Sequence, residues 1–321
     1  MKFLIIPLVF LLSSAGAYDY IVELNAEPEN FNFMTFQSQG LKLQTAYLLQ
    51  NAKQPNGKTV LLMHGKNFSV VYWTETMHFL ATKGYNVIAV DQVGFGRSSQ
   101  PLSYQYSFQQ LAKNTKLLLD SLHIKEVIII GHSMGGMLAS RFALMYPKTC
   151  TKLILENPLG LEDWKLSIPY LTVENQTKEE LTKTRPELKA YMLKNYFHNE
   201  WKPAYEMLLD ENERLLKDEQ FNVYARNMAL TSDMIFTQPV CYEFKDLTMP
   251  VSLIIGQEDK TAIGKDRFNS SVAKNLGNYV DLGKKAAAEI KSATLLELPG
   301  IGHIPHIENF KLFSEALDKS L

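Results

Sequence analysis

The sequence predicts an α/β protein: a mostly parallel central sheet with helices on both faces, plus an inserted helical cap. Three observations predict it. Short β-branched runs alternate with longer stretches of helical periodicity. Most of the runs are apolar throughout, as strands covered on both faces must be. The alternation breaks once, for roughly eighty residues that carry helical periodicity, many charges and no strand pattern.

The chain opens with MKFLIIPLVFLLSSAGA: one positive charge at Lys2, an apolar run from Phe3 to Leu12, and the small-x-small pattern Ala15-Gly16-Ala17. This predicts a signal peptide over residues 1–17, cleaved after Ala17, and hence export to a periplasm or the exterior. The run falls short of the roughly 20 apolar residues of a membrane span, and Pro7 interrupts it, so no stable membrane insertion is expected after cleavage.

Next come YIVELN and LKLQTAYLL, which suit an antiparallel edge. KTVLLMHG (58–65), YNVIAVD (85–91), EVIIIGHS (126–133), TKLILENP (151–158), MPVSLIIG (249–256) and SATLLELPG (292–300) read as the remaining strands. Helical segments fall at about 70–83, then at 108–122 with Ser107 and Gln110 as a capping box, then at 134–146, ended by Pro147. Within the interruption, TKEELTKTRPELKAYMLKNYF and EWKPAYEMLLDENERLLKDEQ read as amphipathic helices. The expected organisation is a core of residues 18–160 and 245–321 with a cap of residues 161–244, placed over the sheet edge where open α/β sheets bind ligands.

Composition narrows the function. The 321 residues carry 33 Lys and Arg against 34 Asp and Glu, so no basic excess points to nucleic acid. Two cysteines, Cys150 and Cys241, are expected as free thiols, because the strand between them should hold their Cα atoms beyond the ~7 Å a disulfide tolerates.

The chemistry begins at Gly131-His132-Ser133-Met134-Gly135, which fits G-x-S-x-G between a strand and a helix. A turn that tight strains the serine backbone and leaves no room for side chains at the flanking glycines. It lifts Ser133 to the N-terminus of a helix, where free N–H groups favour developing negative charge.

With this motif the chain resembles the α/β-hydrolase superfamily over nearly everything after the signal peptide. The resemblance rests on MHGKN after one strand, DQVGFGRSS after the next, GHSMGG at the elbow, GQEDKTA after the cap and GIGHIPHIE after the last strand. It implies a triad in the order nucleophile, acid, histidine, matched by Ser133, Asp259 and His303. His303 would take the serine proton during attack and return it to the leaving group, while Asp259 holds the productive tautomer. Three rivals stand beside them: His306 as base, Glu258 beside Asp259, and Glu156, where some relatives place the acid. No metal site is expected, since further ligands are not grouped near His303 and His306.

The oxyanion of acyl transfer needs two donors. The resemblance points to the backbone N–H of Met134 and to that of Lys66, with the Asn67 side-chain amide as the alternative. The Lys66 side chain could meet a substrate carboxylate or simply be solvated at the pocket mouth. His64 and His132 are assigned to packing, and Asp91 with Gly94, Gly96 and Arg97 to a structural turn that is no phosphate cradle. Trp164 and Tyr170, with Trp201 and Tyr205, are the expected substrate-binding residues of the cap. The distance in sequence from Asp259 to His303 predicts an extra loop and helix there.

The resulting expectation is an exported serine hydrolase, cofactor-free, that cleaves a small-molecule carboxylic ester with a small or medium acyl group through an acyl-enzyme. Serine-triad cleavage of a C–C bond, lactone or amide, cofactor-free perhydrolysis, or a ligand-binding protein with little turnover are the alternatives.

Overall fold

A computed structural model describes residues 31–265 and 275–321. The predicted signal peptide, the YIVELN run and part of the segment between Asp259 and His303 lie outside those residues. Among the described residues, eight strands form one sheet in the order β1-β2-β4-β3-β5-β6-β7-β8. They are β1 (Phe31–Ser38), β2 (Leu41–Gln50), β3 (Thr59–Met63), β4 (Asn86–Val90), β5 (Val127–His132), β6 (Cys150–Glu156), β7 (Val251–Gly256) and β8 (Ala293–Leu298). β1 and β2, and β2 and β4, pair antiparallel; every later pairing is parallel.

The partner of β2 is therefore Phe31–Ser38, a strand the sequence reading passed over. It is a half-exposed edge with a burial pattern that mixes aromatic and polar residues, so it lacks the continuous apolar run of its neighbours. Its signal was the turn: Gln39 and Gly40 both take positive φ (53° and 78°), the geometry of a two-residue hairpin loop.

The parallel strands inside the sheet are largely apolar on both faces because each face is covered, whereas the edge strand β8 is only partly buried. In β3, Val60 and Leu62 join one buried cluster, with Trp73, Ile130, Ile254 and Phe313, while Leu61 and Met63 join the other, with Leu138, Phe142 and Leu253. At about 1.5–3 kcal/mol for each fully buried aliphatic side chain, this two-sided burial contributes much of what holds the sheet together. The covering helices are α1 (Thr74–Thr82), α2 (Phe108–Ser121) and α3 (Met134–Met145). Ser107 caps α2 by accepting from the Gln110 N–H (3.1 Å), but the Gln110 side chain donates onward to Asn114 (2.9 Å), so only half of the predicted capping box forms.

The insertion between β6 and β7 carries α4 (Val173–Leu181), α5 (Arg185–Asn195), α6 (Glu206–Leu216) and α7 (Phe221–Thr237). The first predicted amphipathic helix is two: the chain stops at Leu181 and restarts at Thr184, where Thr184 and Glu187 form a capping box ahead of Pro186. The sequence reading did not single out α7. After β7 come α8 (Tyr279–Glu289), whose Gly283 packs against Ile255 and Leu295, then α9 (Pro305–Glu308) and α10 (Phe310–Ser320). The extra loop and helix expected after Asp259 fall largely on residues 266–274, outside the described residues. Both cysteines are free, and burial pushes the Cys150 thiol up to about 12. Among the described residues no helix is long and apolar enough to cross a membrane.

The chain leaves β3 for β4 on one side and reaches β5 on the other, so the sheet reverses direction beside β3. Crevices form at such a reversal, outside the C-terminal strand ends. The loops after β3, β5, β6, β7 and β8 all emerge at that edge.

Candidate active site

Ser133 joins β5 to α3 with φ 56° and ψ −121°, a conformation that only surrounding structure can enforce on a serine. The glycines around it are sterically required. A Cβ on Gly131 would stand 2.3 Å from the Gly135 carbonyl oxygen, and one on Gly135 would stand 2.1 Å from that of Met63. The elbow therefore packs directly onto the ends of its own helix and of β3.

The Ser133 hydroxyl donates to Nε2 of His303 (3.0 Å), and Nδ1 of His303 donates to Oδ2 of Asp259 (2.7 Å). Asp259 and His303 are fully buried and Ser133 is 3 % exposed. Asp259 is held in turn by Asn157, whose side-chain N–H reaches Oδ2 (2.7 Å), and by the Thr261 N–H on Oδ1 (2.8 Å). Asn157 also accepts from the Gly256 N–H (2.8 Å), so one amide ties the end of β6 to the end of β7 and orients the carboxylate. The site thus joins residues from three separate strand ends into one line of hydrogen bonds.

The two principal rivals fall into a second pair. Nδ1 of His306 lies 2.9 Å from Oε1 and 3.0 Å from Oε2 of Glu156, and the His306 backbone N–H also donates to Oε1 (3.0 Å). His306 stacks on Trp73 with ring centres 4.2 Å apart. Burial pushes Glu156 up to about 7 and holds His306 well below the ordinary histidine value.

His132 and His64 are structural, by their contacts. The Gly65 N–H donates to the Tyr72 hydroxyl (2.9 Å), which donates to Nδ1 of His132 (3.0 Å), whose Nε2–H donates to the His303 carbonyl (2.8 Å). Burial, reinforced by nearby His303, keeps His132 well below its ordinary value, so the neutral tautomer of this relay persists. His64 donates from Nδ1 to the Gly65 carbonyl (2.9 Å) and accepts the Gln92 N–H at Nε2 (3.1 Å); burial lowers it to about 4. Asp91 caps its turn by accepting from Val70 and Arg97, and a Cβ on Gly96 would fall 2.1 Å from its carboxylate.

Ser133, Lys66 and Asn67 line one cavity of about 410 Å³. The insertion forms much of its wall through Leu188, Tyr191, Met192 and Tyr196. The expected cap residues are not part of that lining. Trp164 and Tyr170 line a separate hollow of about 30 Å³ that shares only Gln176, Ser232 and Ile263 with the main cavity. Trp164 is packed there with its indole N–H on Glu162 (3.1 Å), while Tyr170 is 55 % exposed against Phe236. Trp201 and Tyr205 pack with Phe197 and are likewise absent from the cavity lining.

The Lys66 side chain is neither solvated nor free for a carboxylate at the mouth. It is buried and pairs with Glu180 of α4 (3.2 Å). Burial alone would raise Glu180, but Lys66 and Lys183 outweigh it and hold the carboxyl at about 2. Sequence reasoning also missed Tyr196, which follows α5. Its ring stacks on His303 (4.6 Å between centres) and its carbonyl accepts the His303 N–H (2.9 Å). Among the described residues no group of three or more His, Cys, Asp or Glu is placed to hold a metal ion.

The family described as the alpha/beta hydrolase fold matches residues 58–262. The structure of a probable hydrolytic enzyme from Pseudomonas aeruginosa PAO1 superposes with a TM-score of 0.90 at 46 % identity, covering 92 % of this chain and 95 % of that one. An uncharacterized hydrolase of Bacillus subtilis is 25 % identical over 277 residues, 83 % of this chain and 90 % of its own. A thermophilic esterase from Thermogutta terrifontis shares the fold alone, at TM-score 0.68 and 18 % identity over 90 % of this chain and 97 % of that one.

Proposed function

The chain belongs to the alpha/beta hydrolase fold family, and from that premise we propose that it is a serine hydrolase cleaving a carboxylic ester through an acyl-enzyme. One observation carries the reading: Ser133, His303 and Asp259 stand in an unbroken hydrogen-bonded line at the floor of a cavity. Ser133 attacks the carbonyl as Nε2 of His303 takes its proton; the same nitrogen then protonates the leaving alkoxide, and a second round with water frees the acid. Asp259, fixed by Asn157 and Thr261, keeps the proton of His303 on Nδ1 and stabilises the imidazolium.

The oxyanion is received by two backbone donors. Met134 is the first residue of α3, whose leading N–H groups have no intrahelical partner. The second donor is the Lys66 N–H. The Asn67 side-chain amide is the alternative; its oxygen accepts from Lys66 Nζ (3.4 Å), and its NH2 is the group that would donate. A cavity of about 410 Å³ suits a small or medium acyl group.

Export is part of the proposal and rests on the N-terminal sequence. The protein should be recovered outside the cytoplasm with an intact mass that begins at Tyr18; protein confined to the cytoplasm with residues 1–17 retained overturns export.

The experiment for the chemistry is paired. A fluorophosphonate should label wild-type protein at Ser133, and p-nitrophenyl esters of graded chain length should be turned over. Labelling without turnover of any ester would shift the reading to another acyl bond, such as a lactone or amide. Absence of both would leave a binding protein.

A further inference from the structure

The loop that carries the second oxyanion donor is held at its two ends by different parts of the molecule. At Gly65 the sheet domain holds it: Tyr72 accepts the Gly65 N–H (2.9 Å), His64 donates to the Gly65 carbonyl (2.9 Å), and a Cβ there would stand 2.9 Å from that of Ser133. One residue on, the partners change. The Lys66 side chain pairs with Glu180 of α4 (3.2 Å). The Asn67 carbonyl accepts from the Asn212 side chain of α6 (3.1 Å). Two cap helices converge on two consecutive residues.

Asn67 has φ 72°, a left-handed conformation that asparagine adopts more readily than most non-glycine residues, so its partners select it at little cost. Asn212 is 6 % exposed and also donates to the Leu208 carbonyl (2.7 Å), so its amide is fixed on its own helix. Glu180 is 4 % exposed and Lys66 6 %, so their ion pair is dry enough to be directional.

We propose that Glu180 and Asn212 are positioning residues: the cap sets the conformation of Lys66 and Asn67, and with it the second half of the oxyanion hole. The cap then does more than enclose substrate, since the site is complete only when these helices are seated. The inference rests on the reading of Ser133 as nucleophile and of Lys66 N–H as donor. An oxyanion donor is used in the transition state and not by the bound ester, so its misplacement lowers kcat and leaves KM nearly unchanged.

The test uses the full-length mature protein with Asn212→Leu, which removes the donor at similar volume, and Glu180→Gln, which removes the charge and keeps the shape. Turnover of the best p-nitrophenyl ester and inhibition by a trifluoromethyl ketone, which binds as an oxyanion adduct on serine, are measured together with thermal midpoints. Asn212→Leu should lower kcat by about 10- to 100-fold with KM within about threefold, and weaken the ketone by the same factor as kcat. Glu180→Gln should move kcat and ketone affinity in the same direction by a smaller factor, and it decides the matter if Asn212→Leu does not fold.

A merely structural role would lower the thermal midpoint or alter KM without moving kcat and ketone affinity together, and that result overturns the inference. Wild-type protein that turns over esters, with kcat unchanged in both folded variants, overturns this inference alone. Wild-type protein that is neither labelled at Ser133 nor active on any ester overturns the proposed function as well.

Discussion

Glu156 and His306 are hydrogen-bond partners, 2.9 Å apart at Oε1 and Nδ1, in a fully buried pair behind the line that runs from Ser133 through His303 to Asp259. Two groups that sequence alone leaves as rival acid and rival base are thereby committed to one another. Their pairing anchors the start of α9 to the end of β6, beside the loop that carries His303.

Replacement of the two acids should separate them. Asp259→Asn should lower kcat for ester hydrolysis by about 10³- to 10⁴-fold, because the amide can present the wrong tautomer to His303. Glu156→Gln should cost less than about tenfold, its effect passing through the position of the loop. Ser133→Ala and His303→Ala should each remove turnover by about 10⁶-fold, neither adding to the other. The reverse order for the two acids, in variants of wild-type circular dichroism, would move the acid to the end of β6.

The pattern of what sequence shows follows from the range of each interaction. The parallel strands are legible because burial on both faces writes an unbroken apolar run, and the triad because three short motifs mark three strand ends. Strand β1 and helix α7 carry no such run. Asn157 and Asp259 are 102 residues apart and Lys66 and Glu180 are 114 apart, so no local pattern encodes either contact. The same is true of Tyr196 over His303, a stacking that depends on how the cap is seated. Trp164 and Tyr170 mislead for a related reason: aromatic residues in an insertion mark apolar surface but not the direction it faces.

Gly135 and Gly40 should respond very differently to alanine. A Cβ on Gly135 would lie 2.1 Å from the Met63 carbonyl oxygen, a backbone atom of the adjacent strand that cannot yield. Gly135→Ala should give insoluble protein or a loss of several kcal/mol, on the order of a severe core substitution. Gly40 has φ 78° with open space around it, so Gly40→Ala should cost only about 1 kcal/mol of backbone strain, read from urea midpoints. Equal losses at the two sites would contradict the packing of the elbow on β3.

His64 should give the protein a pH-dependent stability. Its pKa falls from 6.5 to about 4 through burial, so the unfolded chain binds a proton that the native state refuses. A depressed value contributes stability fully present above 6.5 and lost as pH falls through about 4, on the order of 3 kcal/mol in all. Comparison of wild type with His64→Gln by urea unfolding isolates this group from the other buried histidines. The gap between the two should narrow by about 2 kcal/mol from pH 7 to about pH 5. A gap independent of pH would mean that His64 takes its proton in the native state.

Substrate choice should respond to the residues that wall the main cavity and not to the aromatics beside it. Met192 is 1 % exposed and Leu188 7 %, and both stand in the cavity that holds Ser133, whereas Tyr170 faces solvent at the neighbouring hollow. Removing a buried side chain from a closed wall leaves space that an acyl chain can fill, worth about 0.8 kcal/mol for each methylene it buries. Met192→Ala should therefore move the preferred p-nitrophenyl ester to a longer acyl chain and raise the ratio of long- to short-chain kcat/KM by about tenfold or more. Tyr170→Ala should leave that ratio within about twofold, since deletion at an exposed position opens no room beside the nucleophile. Fluorophosphonate labelling should change little in either variant, because so small a reagent reaches Ser133 without touching the far wall. A ratio moved by Tyr170→Ala and untouched by Met192→Ala would mean that the acyl chain lies toward α7, with the hollow of Trp164 as its true pocket.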